Sequence, residues 1–478
     1  MHTPFRRKGV APPARGMASR CEKPSPSVPL RSEGGRIDSE WMTMFGYYLD
    51  LALRSFKRNR VLTALMVLAL GLGIGASITT LTVLKLLSGD PLPQKSVRLF
   101  TAEIDPLPKQ GYVPGQTQPP WGNLMPYTDA MNLLQAHRAE RQAAMALTQA
   151  KVTPARTGEH PFFSDAVMTT ADFFAMFDAP FEYGGGWNAQ NDDDRARVAV
   201  IAGFLNDKLF GGKNSVGQVI RINDHDYRVV GVLKDWSPQP RFYAVDLGGR
   251  SYGNGDAVFL PLRSARADGM DPQNVSCWQT ADIQHLETSP CVFVSLWVEL
   301  KNASDAAGYK TFLSNYVQQQ ISLGRFHRPE VVFADLMKFL ALEQVVPDDA
   351  RLQTNLAFGF LLICIVNTVG LLLAKCLRRS REIGVRRALG ATRGAVFAQF
   401  MVESGMVGIA GGVLGLIFAE LGLWAIRHQP AQYAHLARLD VSMFIATFVI
   451  ALVASLVAGI LPAWRACVVA PAPQLKSV

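Results

Sequence analysis

The stretch VLTALMVLALGLGIGASITTLTVL, Val61 to Leu84, runs for 24 residues without a charged side chain. A helix rising about 1.5 Å per residue crosses a ~30 Å hydrocarbon core in that length, so the segment predicts a transmembrane helix. Three further apolar runs have the same character: Leu356 to Ala374, Val407 to Ile426, and Val441 to Trp464. The third contains Glu420, which at membrane depth must face protein or water. The four spans fall one plus three, with a long polar stretch between the first and the second.

Working outward, 478 residues of which 49% are hydrophobic, with a mean hydropathy of +0.12, fit a membrane protein carrying a soluble portion. The net charge of +9 clusters beside the apolar runs rather than on a separate polar face, which argues for lipid and against nucleic acid. Arg54, Lys57, Arg58 and Arg60 precede the first span. Lys375, Arg378, Arg379, Arg381, Arg386, Arg387 and Arg393 separate the second from the third, whereas the loop from Arg427 to Asp440 holds only Arg427 and Arg438. Positive residues stay inside, so both termini of this multi-pass chain are expected in the cytoplasm and the long stretch between the first and second spans outside, in the periplasm beyond the inner membrane if the cell is Gram-negative.

The expected division is then as follows. Residues 1–43 are a disordered tail or a mis-called start, with Met42 or Met44 as the alternative first residue. Residues 44–87 hold a cytoplasmic entry helix and the first span, and 88–353 a periplasmic domain. The second span is 354–376, a cytoplasmic segment is 377–402, and 403–478 hold the last two spans and a cytoplasmic C-terminus. On the periplasmic side a Cys277 to Cys291 disulfide is permissible, with two free thiols as the equal alternative.

The large domain reads as mixed α/β. Strand-like runs are Val97–Ile104, Val198–Ala202, Tyr227–Leu233, Ala257–Leu260 and Cys291–Leu300, and helical periodicity covers Pro126–Ala143 and Ala303–Leu323. Pro106–Pro120 reads as a surface loop. Phe210-Gly-Gly-Lys-Asn-Ser-Val-Gly217 falls short of a phosphate loop: Asp207 stands at the first glycine position and Asn214 where a hydroxyl is needed. It reads as a helix-to-strand turn. Asp192, Asp193 and Asp194 have no nearby His to complete a metal site, and His160, His225 and His285 lie in no nucleophile context. No metal, no cofactor and no catalytic residue is expected.

The segment Leu377 to Arg393 carries most information. Its plainest role is to orient the chain. Yet Ile383, Val385 and Leu389 sit among the charges, Gly384 and Gly390 punctuate them, and Glu382 can pair with an arginine, as in a short amphipathic helix offered to a cytoplasmic partner. Gly71 and Gly75, Gly408 and Gly412, and Gly411 and Gly415 stand four apart, as close helix packing requires, within one bundle in preference to a dimer seam. Glu403 is expected at the cytoplasmic boundary, capping the arginine segment or pairing with it.

Arg381-Glu-Ile-Gly-Val-Arg-Arg-Ala-Leu-Gly-Ala-Thr-Arg393, continuing to Phe400-Met-Val-Glu-Ser404, resembles the signature of MacB/FtsX-type ABC transporter permeases. Leu209 to Gly217 with Tyr227 to Leu233, Asn367 and Pro462 agree with it. The resemblance implies a four-helix membrane fold with a MacB-like periplasmic domain, two permeases as a homo- or heterodimer, and a separate cytoplasmic ABC ATPase. It assigns ATPase coupling to Arg381, Glu382, Gly384, Arg386, Arg387, Gly390 and Arg393. It also brings in a periplasmic adaptor and an outer-membrane exit duct, with efflux or mechanotransmission as the work done. The alternative it leaves is an FtsX-like scaffold that activates a cell-wall hydrolase. MacB carries a fused N-terminal ATPase, whereas only about forty residues precede the membrane entry here. Macrolide, peptide, lipoprotein and siderophore substrates all stay open.

Overall fold

The structure is a computed structural model that describes residues 51–468, apart from 52–53, 57–58, 111–123, 155–159, 246, 248–249 and 431–432. The N-terminal tail, its alternative start positions, residues 469–478 and most of the Pro106–Pro120 loop lie outside the described residues.

Among the described residues, four helices, Arg60–Ser88, Asp348–Arg378, Arg393–Arg427 and Val441–Cys467, are long and apolar enough to cross a membrane. They pack as one bundle because glycines let backbones approach. A Cβ on Gly75 would meet Phe418 and the Gly415 carbonyl, one on Gly411 would meet Leu70, and one on Gly412 would meet Ala451. The paired glycines therefore serve packing within the chain. Thr392 caps the third long helix by accepting from the Ala395 amide at 3.2 Å, so that helix begins at Arg393, well before its apolar run. Pro462 lies inside the fourth.

Between the first and second long helices the chain folds around an eleven-stranded sheet. Its main path runs Val331–Asp335, Leu99–Ile104, Val294–Glu299, Arg141–Thr153, Phe162–Thr169, Val258–Pro261, Val198–Ala202, His225–Leu233 and Phe181–Gly184. Most pairs are antiparallel, with Phe162–Thr169 parallel to Val258–Pro261 and Val198–Ala202 parallel to His225–Leu233. Both faces are covered, which is why these strands read as near-continuous apolar runs. Alternate residues divide between two cores: Ala144, Ala199, Ile201, Leu296 and Val298 pack under the helices Tyr127–Gln135 and Ala306–Ser322. Met145, Val198, Val200 and Trp297 enter an aromatic layer with Phe173, Phe177, Phe242, Tyr243 and Phe339. That layer also takes in Val83 and Leu87 from the first long helix and Leu423 from the third, so the sheet sits directly on one end of the bundle.

One local reading changes and another holds. The helical periodicity over Pro126–Ala143 yields a helix only from Tyr127 to Gln135. His137 has φ +45°, and Arg141, Gln142 and Ala143 pair in the sheet with Glu299, Val298 and Trp297. Ladder pairing overrides a weak local preference. Phe210 to Gly217 is a turn after the helix Gly203–Phe210, which Gly211 ends at φ +68°, where a side chain would be strained.

Candidate functional site

The end of the bundle away from the sheet is built from the segment between the second and third long helices. Ser380–Ala388 forms a nine-residue helix, and Gly390, at φ +104°, turns the chain back into the third long helix. Its inner side is held in place. Ile383 packs with Cys376, Val396, Phe400, Ala463, Ala466 and Cys467. Arg387 Nη1 donates to the Cys467 carbonyl at 3.2 Å, and Arg386 bridges Glu382 Oε1 at 2.8 Å and Gln399 Oε1 at 3.1 Å. The Cys467 thiol donates to the Arg393 carbonyl at 3.2 Å.

The outer side carries Arg381, Val385 and Leu389, four residues apart on one stripe, and Leu389 is 83% exposed. Of the residues expected to couple to a partner, Arg381 thus faces outward. Gly384 is buried, Glu382 pairs with Arg386 within the helix, and Arg386 and Arg387 hold the helix to the third and fourth long helices. Arg393 is the first residue of the third long helix.

Beneath this helix lies a buried charge cluster. Glu403 and Lys375 are each 2% exposed, with Nζ 2.5 Å from Oε1, and Arg379 Nη1 lies 3.5 Å from Oε2. Ser55, from the segment preceding the first long helix, donates to the same carboxylate. Glu403 therefore ties together the entry segment and the second and third long helices. Sequence reasoning placed Glu403 with the arginine segment but missed Lys375, whose apolar neighbours gave no sign that its charge would be enclosed. Glu420, by contrast, is half-exposed at the opposite end and pairs with Arg427 at 2.6 Å.

At the sheet end, Glu299 is fully buried and receives Arg141 at 2.8 Å, Arg98 at 3.4 Å and Lys95 at 3.6 Å. Lys95 and Arg98 belong to the connection leaving the first long helix, so the network ties that helix to the sheet. Tyr252 adds a second tie, its hydroxyl donating to the Leu87 carbonyl at 2.8 Å. The Cys277 and Cys291 sulfurs are bonded across the short strand pair Ser276–Cys277 and Cys291–Val292. Asp192 accepts from Trp187 Nε1 at 2.9 Å and the Ala171 amide at 2.8 Å, Asp193 pairs with Arg263, and Asp194 accepts from Gln190. Protein groups thus engage all three.

Glu103, in the strand Leu99–Ile104, is almost fully buried. Burial first and the Glu343 carboxylate second push its pKa from an ordinary 4.5 up to about 8. The folded chain keeps a proton that the unfolded chain releases, so this contribution to stability is complete below about pH 4.5 and declines as pH rises toward about 8. The full chain in detergent is expected to melt at lower temperature at pH 8 than at pH 6. Glu103→Gln should flatten that slope; an unchanged slope would remove Glu103 as its source.

With this geometry in view, two family profiles cover most of the chain. The MacB-like periplasmic core domain matches residues 63–311, and the FtsX-like permease C-terminal domain matches residues 356–471. The chain belongs to the MacB/FtsX-type permease family. Among its relatives, the macrolide export ATP-binding/permease protein MacB of Chlorobium luteolum is 24% identical over 95% of this chain and 65% of its own length. The pyoverdine export ATP-binding/permease protein PvdT of Pseudomonas aeruginosa is 26% identical over 64% of this chain and 41% of its own length. MacB of Salmonella paratyphi A is 25% identical over 79% and 52%. This permease therefore spans about half the length of the curated relatives it matches. The crystal structure of the periplasmic region of MacB from Actinobacillus actinomycetemcomitans aligns over 54% of this chain and 98% of its own, at 12% identity and a TM-score of 0.35. Both profiles meet the chain on the elements described above: the first spans most of the sheet domain, and the second contains the short helix and the Glu403 cluster.

Proposed function

We propose that this permease is the membrane subunit of a MacB-like ABC exporter or mechanotransmitter, working with a separate cytoplasmic ATPase. The short helix would be the coupling element, receiving the ATPase on Arg381, Val385 and Leu389. The Glu403 cluster would carry its displacement into the second and third spans, and the Glu299 and Tyr252 ties would pass movement of the spans to the sheet. The observation that carries this reading is the outward stripe on a helix whose inner side is fixed to three spans. A partner pushing on such a helix moves the bundle, because packed interfaces transmit rather than absorb displacement.

Orientation follows from charge. Arg378, Arg379, Arg381, Arg386, Arg387 and Arg393 gather at the end with the short helix, which the positive-inside rule assigns to the cytoplasm of an inner-membrane protein. The sheet domain then lies in the periplasm, where the Cys277 to Cys291 bond persists and where an adaptor and an outer-membrane duct would be met.

The test is affinity purification of the tagged full chain in detergent, with partner identification by mass spectrometry and an ATPase assay on the eluate. A co-eluting nucleotide-binding subunit, whose catalytic substitution ends hydrolysis, supports the reading. Capture of a cell-wall hydrolase with no ATPase would replace it with the signalling-scaffold alternative.

A further inference from the structure

The sheet domain carries a polar hollow of about 520 Å³ beside the strand Phe162–Thr169. It shares Gln149, Asp165, Arg241 and Arg250 with a second hollow of about 730 Å³, so the two form one cleft. One wall comes from the membrane part: Pro430 and His435, on the loop joining the third and fourth long helices, border the second hollow. Cavities in this range hold small organic molecules, up to the size of a dipeptide and beyond.

The floor of the cleft is a buried ion pair left half satisfied. Arg241 and Asp256 are 3% and 2% exposed, and Arg241 Nη2 lies 2.6 Å from Asp256 Oδ2. Tyr243 donates to that same oxygen at 2.8 Å. Both contacts fall on Oδ2, and among the described residues neither Asp256 Oδ1 nor Arg241 Nε has a hydrogen-bond partner. Buried polar groups are nearly always met, so an open acceptor and an open donor on one pair, both residues lining a cavity, point to a group that enters it. On the rim stand Asp165 and Arg250, exposed and of opposite charge. Among the described residues neither side chain has an ion-pair or hydrogen-bond partner, so the two do not neutralise each other. Phe163, two residues before Asp165 on the same strand face, and Phe204 leave exposed rings along the second hollow.

We infer that this cleft binds a compact zwitterion of the amino-acid or dipeptide class, its ammonium at Asp165, its carboxylate at Arg250 and an apolar side group against the phenyl rings. Opposite charges held apart on one rim are complementary to a molecule whose own charges are held apart, and each end then keeps a charged partner. A singly charged ligand leaves one rim charge unmet. On the floor, Arg241 Nε and Asp256 Oδ1 repeat the donor-and-acceptor pattern, which a peptide amide answers with one carbonyl and one N–H. A ligand seated there touches the sheet domain and the loop between the last two spans at once. The site belongs to the chain by itself and does not depend on which partner drives it.

The test is isothermal titration calorimetry on the full chain in maltoside detergent, with phenylalanyl-alanine as the probe beside its N-acetyl and C-terminal amide forms. Saturable binding of the free dipeptide is expected, about 10-fold or more tighter than either blocked form. Asp165→Asn should weaken the free dipeptide by about 10-fold and leave the N-acetyl form, which has no ammonium to lose, unchanged. Arg250→Gln should likewise weaken the free dipeptide and spare the amide form. Both side chains are exposed, so both variants should melt with the parent. Glycerophosphoethanolamine, a lipid headgroup with both charges and no amide, should bind more weakly than the dipeptide. No saturable heat with the dipeptide, equal binding of the blocked forms, or losses that do not follow the matching charge would overturn the site. Tighter binding of the headgroup would overturn the dipeptide class and assign the cleft to lipid. The titration needs no ATPase, so its outcome and that of the co-purification stand or fall separately.

Discussion

Glu403→Ala is expected to destabilise the chain by about 3–5 kcal/mol, because it strands Lys375 as a buried, unpaired ammonium. Among the described residues, Lys375 Nζ has only that carboxylate oxygen at ion-pair distance, and its side chain is 2% exposed, so bulk water is a poor replacement for the lost partner. Arg379, 3.5 Å from the same carboxylate, would share the loss. The comparison that isolates the pair is the double variant Glu403→Leu with Lys375→Met. Removing both charges while keeping volume is often near neutral or stabilising, so the double variant should melt close to the parent and well above Glu403→Ala. Thermal unfolding of the full chain in detergent, followed by tryptophan fluorescence, reads both. If Glu403→Ala melted like the parent, the cluster would be hydrated and would join nothing. If the double variant folds like the parent yet no longer stimulates its ATPase partner, the charges serve coupling rather than stability.

The second large effect lies on the outward stripe of the short helix. Arg381→Glu combined with Leu389→Asp should weaken ATPase capture by roughly 100-fold or more, the size expected when two central contacts of a small interface are lost. Neither side chain holds the helix in place, so the melting temperature should stay within a degree or two of the parent. Glu382 and Arg387 make poorer probes because they engage neighbouring groups, and reversing them would disturb the helix itself. Quantitative pull-down of the ATPase at several concentrations, with the melting curve beside it, decides the matter. Unchanged capture by a folded double variant would move the docking site off this helix.

Much of the plan was legible in the residues. A charge-free run of 24 residues at Val61 to Leu84 can satisfy its backbone in hydrocarbon only as a helix, so three more long apolar runs, one of them interrupted by Glu420, declared a four-helix membrane protein before any contact was known. The outer strands were readable for a related reason: a sheet covered on both faces needs apolar residues at every position, as in Val198–Ala202. The arginine-rich segment announced itself through the apolar residues set among its charges.

What composition and periodicity left undecided was everything that depends on which side chain meets which. Pro126–Ala143 looked helical throughout, and only pairing with Val294–Glu299 drew its last residues into the sheet. Lys375 looked like one more orienting cation until the third long helix brought Glu403 against it. Val385 and Leu389 were divided from Ile383 only by the packing of the short helix on the span ends. Local chemistry sets where the chain must be a spanning helix, because the cost of unsatisfied backbone in lipid is paid residue by residue. The charge cluster and the outward stripe are set by contacts between residues distant in the chain, so the tertiary structure alone decided them.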